Sequence, residues 1–229
     1  MVIGNGLIAN AFESYKNQPN FLIFASGVSN STANNTTDFD RELGLLTQAL
    51  ATHTNSLLVY FSTCSIYDDD VKNNAYVKHK LKAEKLIIAK AKHYCICRVS
   101  NLVGSTNNPT TILNYVANAI KNNTHFYVWL QATRNLLDVA DLYLIVDYTL
   151  KNKLQHNSII NIANTYEYSM PTIVKQLETH FAKVANYTLV NKGTSLHIDK
   201  EYIYAIIDKI PIVFNELYLQ NLLQKYYPT

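Results

Sequence analysis

Val2-Ile3-Gly4-Asn5-Gly6-Leu7-Ile8-Ala9 runs from a short apolar strand through a glycine turn into the start of a helix. Its G-x-G-x-x-A spacing leaves the backbone open to close approach by a pyrophosphate. The helix that follows offers N–H donors and a partial positive charge. Taken alone, the motif fits any glycine turn before a helix equally well, so the rest of the chain has to decide. Working outward, Met1–Ile3, Phe21–Ala25, Leu57–Phe61, Tyr94–Val99 and Ile159–Ala163 read as short buried strands rich in Ile, Val, Phe and Tyr. Amphipathic stretches lie between them: Leu7 to Tyr15, Asp38 to Ala51, Ala75 to Lys92, Thr110 to Lys121 and Val139 to Lys151. Strand–helix alternation with strands apolar on both sides predicts an α/β fold, a parallel sheet covered by helices on both faces. Beyond Ala163 come a helix over Ser169–Val184, with Pro171 near its start, and a closing helix over Asn215–Tyr226. The Asn-rich stretches Asn30–Thr37, Asn107–Asn108 and Asn122–Asn123 read as turns and loops.

Composition narrows the class. Hydrophobic residues are 48% of the 229 and charged residues only 16%, the balance of a chain that buries a substantial core. A net charge of +3 without a Lys/Arg run argues against a nucleic-acid partner. No apolar run approaches the ~20 residues needed to span a bilayer, and no signal-peptide pattern is visible, so no membrane association is expected. Three cysteines (Cys64, Cys95, Cys97) form no disulfide framework and suit a reducing, cytoplasmic setting.

A second constellation sits mid-chain. Phe61-Ser62-Thr63-Cys64-Ser65-Ile66-Tyr67 follows a strand, and Tyr76-Val77-Lys78-His79-Lys80 opens a helix. Tyr76 and Lys80, four residues apart, project from one helical face. An ammonium beside a phenol favours the phenolate, which makes the tyrosine a usable general acid/base. Thr63, at the C-terminal end of a parallel strand, stands where open α/β sheets bind ligands. Y-x-x-x-K by itself also arises by chance in a chain with 17 tyrosines.

With that context the sequence resembles the extended short-chain dehydrogenase/reductase family, of the NAD-dependent nucleotide-sugar epimerase, dehydratase and 4-keto reductase type. The likeness is collinear over nearly the whole chain. Gly4-Asn5-Gly6-Leu7-Ile8-Ala9 resembles the family's glycine-rich turn, and Phe24-Ala25-Ser26-Gly27-Val28-Ser29 the segment beside the nicotinamide-side ribose. Ser62-Thr63-Cys64-Ser65-Ile66-Tyr67 resembles S-[ST]-x-x-[VI]-Y, and Tyr76 with Lys80 the catalytic Y-x-x-x-K. Arg98-Val99-Ser100-Asn101-Leu102-Val103-Gly104 is similar to R-x-x-N-[VL]-x-G, and Arg134-Asn135-Leu136-Leu137-Asp138-Val139-Ala140-Asp141 to R-D-[FL]-[IV]-x-V-x-D. Ile160-Asn161-Ile162-Ala163 with Tyr168-Ser169 resembles the strand and turn that come next.

The resemblance implies a Rossmann-like sheet, NAD or NADP as cofactor and a nucleotide-sugar substrate, in surface-polysaccharide or deoxysugar biosynthesis. It implies catalytic Thr63, Tyr76 and Lys80. The cofactor set would be Gly4, Asn5, Gly6, Leu7, Ile8, Ala25, Ser26 and Gly27, again with Tyr76 and Lys80. Cys64, Ser65, Asn101 and Arg134 would meet the substrate, Asn101 near the sugar and Arg134 at the nucleotide phosphates. Residues 1–104 and about 138–165 would form the dinucleotide-binding domain, and about 105–137 with 166–229 a smaller substrate lobe. A homodimer through the helices over Asp38–Ala51 and Ala75–Lys92 is also implied.

Three departures stand out. Only a helix and the link Lys16–Asn20 separate Phe21–Ala25 from the first strand. Phe21–Ala25 is then either the family's fourth strand, with the second and third missing, or an ordinary second strand. Its end, Phe24-Ala25-Ser26-Gly27, also lacks the acidic residue that usually holds the adenosine ribose. Cys64-Ser65 replaces the Asp-Glu pair of the 4,6-dehydratases, which leaves 4-keto reduction or 4-epimerisation. The rival to catalysis is a dinucleotide- or sugar-nucleotide-binding module. Asp68, Asp69 and Asp70 read as solvated charges, and His79 as a helix-surface residue. Cys95 and Cys97 read as core thiols and Trp129 as packing, with no metal site expected. No G-x-S-x-G surrounds Ser62 or Ser65, so a hydrolase is excluded.

Overall fold

The alternation of apolar runs and amphipathic stretches is realised in the computed structural model, which describes residues 1–30, 35–154 and 156–228. The first half runs β1 (Val2–Ile3), α1 (Leu7–Ala11), β2 (Phe21–Phe24), α2 (Thr36–Thr52), β3 (Leu57–Thr63), α3 (Ala75–Lys90) and β4 (Tyr94–Val99). Next come β5 (Asn101–Val103), α4 (Ile112–Lys121), β6 (Phe126–Trp129), β7 (Thr133–Arg134), β8 (Leu136–Asp138) and α5 (Val139–Lys151). The chain ends with β9 (Ser158–Ile162), β10 (Tyr168–Ser169), α6 (Met170–Phe181), β11 (Tyr187–Val190), α7 (Glu201–Ile206) and α8 (Tyr218–Tyr226). Residues 31–34 of the predicted Asn30–Thr37 loop lie outside the described residues. Asn35 caps α2 by accepting from Thr37 N at 3.0 Å.

Five parallel strands form the central sheet in the order β1-β2-β3-β4-β9. Alternate strand residues face opposite ways and build two cores. Ile23, Val59, Phe61, Cys95 and Cys97 pack with Phe12 and Tyr15 after α1, with Leu142, Ile145 and Val146 of α5, and with Ile203 of α7. Leu22, Phe24, Leu58, Tyr60 and Ile96 pack with Leu46, Ala49 and Leu50 of α2 and with Ala83 and Ile87 of α3. Both faces are therefore covered, as the alternation required.

The strand order separates the two readings of Phe21–Ala25. An ordinary second strand would leave β1 in mid-sheet, beside the fourth strand. Here β1 is the edge, and β2 stands between it and β3, the strand that carries Thr63. Among the described residues no strand pairs with the outer edge of β1. The order agrees with a sheet that lacks the second and third strands. The connections through α1 and α2 step the same way across the sheet yet cover opposite faces, so their crossovers have opposite hands.

A third core gathers Leu113, Val116 and Ile120 of α4, Phe126 and Val128 of β6, Ile173 and Leu177 of α6, and Leu219 and Leu223 of α8. β6 and β11 pair in parallel beside it, Phe126 opposite Tyr187 and Val128 opposite Leu189. Two short ladders, β5 with β8 and β7 with β10, join this lobe to the sheet. Among the described residues no helix is long and apolar enough to cross a membrane.

Candidate active site

A cleft of about 570 Å³ lies beyond the C-terminal ends of the strands and reaches into the second lobe. From the glycine turn, Gly6, Leu7 and Ile8 line it; from the end of β2, Ala25 and Gly27 do. Thr63, Cys64 and Ser65 enter after β3, Tyr76 and Lys80 from α3, and Asn101 and Arg134 from the ladders. Gly4, Asn5 and Ser26 lie outside its lining. Gly4 acts from behind. At φ +131° it holds a conformation that L residues rarely adopt, and a Cβ there would stand 2.4 Å from the Ala25 carbonyl oxygen. The turn is thereby pressed against the end of β2. Gly6, by contrast, has open space where its Cβ would point, and no side chain caps α1 there.

Each chemical group is fixed locally. Ser65 N donates to Thr63 Oγ1 at 3.0 Å, and Thr63 Oγ1 donates to Ser65 Oγ at 3.0 Å. That pairing leaves the Ser65 hydroxyl proton available to an oxygen in the cleft. Asn74 caps α3 by accepting from Val77 N at 2.8 Å, which sets the first turn carrying Tyr76. Lys80 Nζ lies 6.0 Å from the centre of the Tyr76 ring.

Lys80 is almost fully buried and has three acceptors: Glu42 Oε1 at 3.0 Å, Tyr60 Oη at 3.3 Å and the Phe61 carbonyl at 3.4 Å. Glu42, fully buried on α2, accepts further from Tyr60 Oη at 2.6 Å and Val28 N at 2.6 Å and lies 2.8 Å from His79 Nε2. Burial pushes the Glu42 carboxyl up. The His79 contact, the Lys80 charge, the Tyr60 hydroxyl and the Val28 N–H together outweigh it and bring the group down to about 2. His79 is thus not the surface residue its sequence neighbourhood implied. It is 5% exposed and stacked on Phe39 with centroids 4.4 Å apart, because α2 packs over that side of α3.

A second buried carboxylate ties the Thr63 segment to the sheet. Glu84 accepts from Ser62 Oγ at 2.5 Å and from Arg98 Nη2 at 2.7 Å, and Arg98 Nη1 donates to Tyr67 Oη at 3.2 Å. The Cys64 thiol points to the Arg98 carbonyl at 3.1 Å, and burial pushes it up to about 12, so it is neither nucleophile nor acid near neutrality. Asn101 is half-buried, its N–H donating to the Asn135 carbonyl at 3.0 Å. Arg134 Nη1 donates to the Thr133 carbonyl at 2.7 Å and stands 3.7 Å from Asp68 Oδ2.

The aspartate run is less solvated than its spacing implied. Asp68 is buried, and burial raises its carboxyl. Asp70 accepts from Thr194 N at 2.9 Å, while exposed Asp69 pairs with Lys72. Cys95 and Cys97 are core thiols with sulfurs 3.9 Å apart. Among the described residues no three His, Cys, Asp or Glu side chains are grouped to hold a metal ion. The sequence reading missed Glu42, and missed Leu196, which enters the cleft from the segment after β11.

The profile of the NAD dependent epimerase/dehydratase family matches residues 8–163, most of the chain. The chain belongs to this family. No curated protein matches it. Among the solved structures that share its fold at low identity are these three. A UDP-glucuronic acid 4-epimerase from Bacillus cereus, in complex with NAD, aligns with TM-score 0.74 at 15% identity over 97% of this chain and 79% of that one. A dTDP-glucose 4,6-dehydratase from Bacillus anthracis, also with NAD, gives 0.71 at 18% over 96% and 77%. RMD from Pseudomonas aeruginosa, complexed with NADPH, gives 0.70 at 15% over 92% and 82%.

Proposed function

We propose that this family member is an NAD(P)-dependent oxidoreductase or epimerase acting at C4 of a nucleotide-activated sugar, by 4-keto reduction or 4-epimerisation. The observation that carries the proposal is the meeting of Thr63, Tyr76 and Lys80 in one cleft that the glycine turn also lines. The chain's residues fit a dinucleotide on its nicotinamide and diphosphate sides. Gly6 leaves room at the start of α1, Ala25 and Gly27 line the cleft, and Gly27 lies beside Lys80. A nicotinamide held there would supply hydride exchange at sugar C4.

The other roles fall to the protein. Tyr76 moves the proton at the C4 oxygen, Lys80 holds the phenolate's charge and meets a ribose hydroxyl, and Thr63 with Ser65 holds the reacting oxygen. The Tyr60 and Phe61 contacts of Lys80, at 3.3 and 3.4 Å, are long and are the ones a ribose hydroxyl would displace. Asn101 would approach the sugar and Arg134 the nucleotide phosphates. Cys64 and Ser65 supply no acid/base pair for water elimination across C5–C6, which favours reduction or epimerisation over 4,6-dehydration. The substrate would lie between the sheet and the lobe built from 105–137 and 166–229. A homodimer through α2 and α3 in a reducing, cytoplasmic setting belongs to the same proposal, and a monomer by light scattering removes the dimer.

A second reading, a binding module without turnover, is favoured by the edge position of β1, which leaves the adenosine side without its usual wall. Fluorescence titration with NADH and NADPH separates the two readings. Tyr76→Phe is expected to keep cofactor binding and abolish turnover. Failure of the wild-type chain to bind either dinucleotide at millimolar concentration selects the binding module instead.

A further inference from the structure

Lys80 has 3% of its side chain exposed and Glu42 none. A buried ammonium without a counter-charge is strongly disfavoured. Glu42 meets that need from another helix. It occupies the position one turn before Leu46 and two before Ala49, on the stripe of α2 that faces the sheet, where an apolar residue would pack as well. Its two oxygens are used completely: Oε1 by Lys80 and Tyr60, Oε2 by Val28 N and His79. These partners come from β3, from α3 and from the backbone after β2, so the carboxylate has one place to stand. Gly27 closes the other side of the ammonium. A Cβ there would lie 2.6 Å from Lys80 Nζ and 3.0 Å from Glu42 Oε1. Among the described residues no other carboxylate hydrogen-bonds Lys80, and Glu84, one turn along α3, is engaged by Arg98 and Ser62.

We infer that Glu42 is the positioning residue of this site, the counter-ion that keeps the Lys80 ammonium charged and pinned between Gly27 and Tyr76. The inference rests on the proposed role of Lys80 in cofactor binding. Glu42 does not line the cleft itself; it reaches it through Lys80 and through the Val28 N–H at 2.6 Å. The titratable groups that face Lys80 are Glu42 from α2, Tyr60 from β3, and Tyr76, His79 and Glu84 from its own helix, with Arg98 of β4 neutralising Glu84.

Glu42→Gln keeps the shape and one acceptor while removing the charge. In full-length protein carrying [15N]lysine, the Lys80 Nζ signal, assigned with Lys80→Met, is expected at the ammonium position near pH 8 in the wild type. In Glu42→Gln it should move towards the amine position, and NADH affinity should fall by about tenfold or more. Glu42→Asp, which retains the charge, should restore the ammonium signal. If Glu42→Gln alone does not fold, Glu42→Gln/Lys80→Met removes both charges and is expected to fold. An unchanged Lys80 signal in Glu42→Gln, or a double variant that stays unfolded, overturns the inference. If wild-type protein binds neither dinucleotide, the functional reading fails while the Lys80 signal still decides the role of Glu42.

Discussion

Glu42 should make the stability of this fold sensitive to acid. The carboxyl is held at about 2 against its ordinary 4.5, through His79, Lys80, Tyr60 and Val28 working against burial. At about 1.4 kcal/mol for each pH unit of displacement, the folded state gains roughly 3 kcal/mol from this one group. The sign follows from the direction. A depressed carboxyl stabilises fully above its ordinary value of 4.5 and loses that contribution as the pH falls towards 2. Urea unfolding of the wild type and of Glu42→Gln, measured at several pH values from about 6 to about 2, isolates the term, since the other carboxylates titrate in both proteins and cancel. The wild type should lead Glu42→Gln by a constant margin above about pH 5. That margin should then shrink by roughly 3 kcal/mol at the acid end of the series. A margin that stays level down to the lowest pH would refute the reasoning.

Three further outcomes can be measured directly. Gly4→Ala forces an L residue into φ +131° with its Cβ 2.4 Å from the Ala25 carbonyl, so the thermal midpoint should drop by about 5 °C or more; an unchanged melt contradicts the close packing of the turn on β2. Arg98→Met leaves Glu84, 4% exposed in its side chain, without its cation and should cost about 3–5 kcal/mol by urea unfolding, whereas a loss below about 1 kcal/mol would mean the pair is dispensable. All three cysteines are buried, and Cys64 is pushed up to about 12. Iodoacetamide near neutral pH should therefore label none of them in the native protein and all of them in urea, and mass spectrometry would expose a reactive Cys64 at once.

The sheet was legible in the sequence because its signals are local. Each buried strand is an apolar run of a few residues, and each helix between them carries a period that marks its inner face. The cleft was legible for a related reason: Gly6, Thr63, Tyr76 and Lys80 stand at strand ends and helix starts, so their convergence follows from the topology. What was not legible depends on contacts between distant segments. β11 pairs with β6 across about 60 residues, and its exposed Tyr187, Thr188 and Leu189 show no alternation that announces a strand. α7, only six residues long, is fixed by Ile203 and Ile206 packing under the main sheet. His79 sits in Lys78-His79-Lys80, a polar run that reads as solvent-facing until α2 is laid across it. Glu42 did leave a trace. A carboxylate in register with Leu46 and Ala49 on a buried stripe has to find a cation, and Lys80 is the one that reaches it.

The same long-range view changes what the trimmed sheet means for binding. In open α/β sheets ligands bind where the connections from two adjacent strands leave towards opposite faces, which opens a crevice at their C-terminal ends. In a full-length sheet that crevice lies beside the first strand, with further strands beyond it. Here β1 has become the edge, yet its connection still departs to the face of α5 while that of β2 departs to the face of α3. The opposite hands of the β1–β2 and β2–β3 crossovers are the geometric consequence. A β1–β2 connection of the same hand as β2–β3 would have placed α1 beside α2 and left no divergence between the two strands. Gly4 lies in that gap, pressed on Ala25, with Gly6 open above it and Lys80 close behind Gly27. On the proposed binding mode, a sheet without the second and third strands would lack the wall on the adenosine side and keep the crevice itself. On that mode, affinity would come to depend on the glycine turn and on the side of the cleft where Glu42 and Lys80 are buried together.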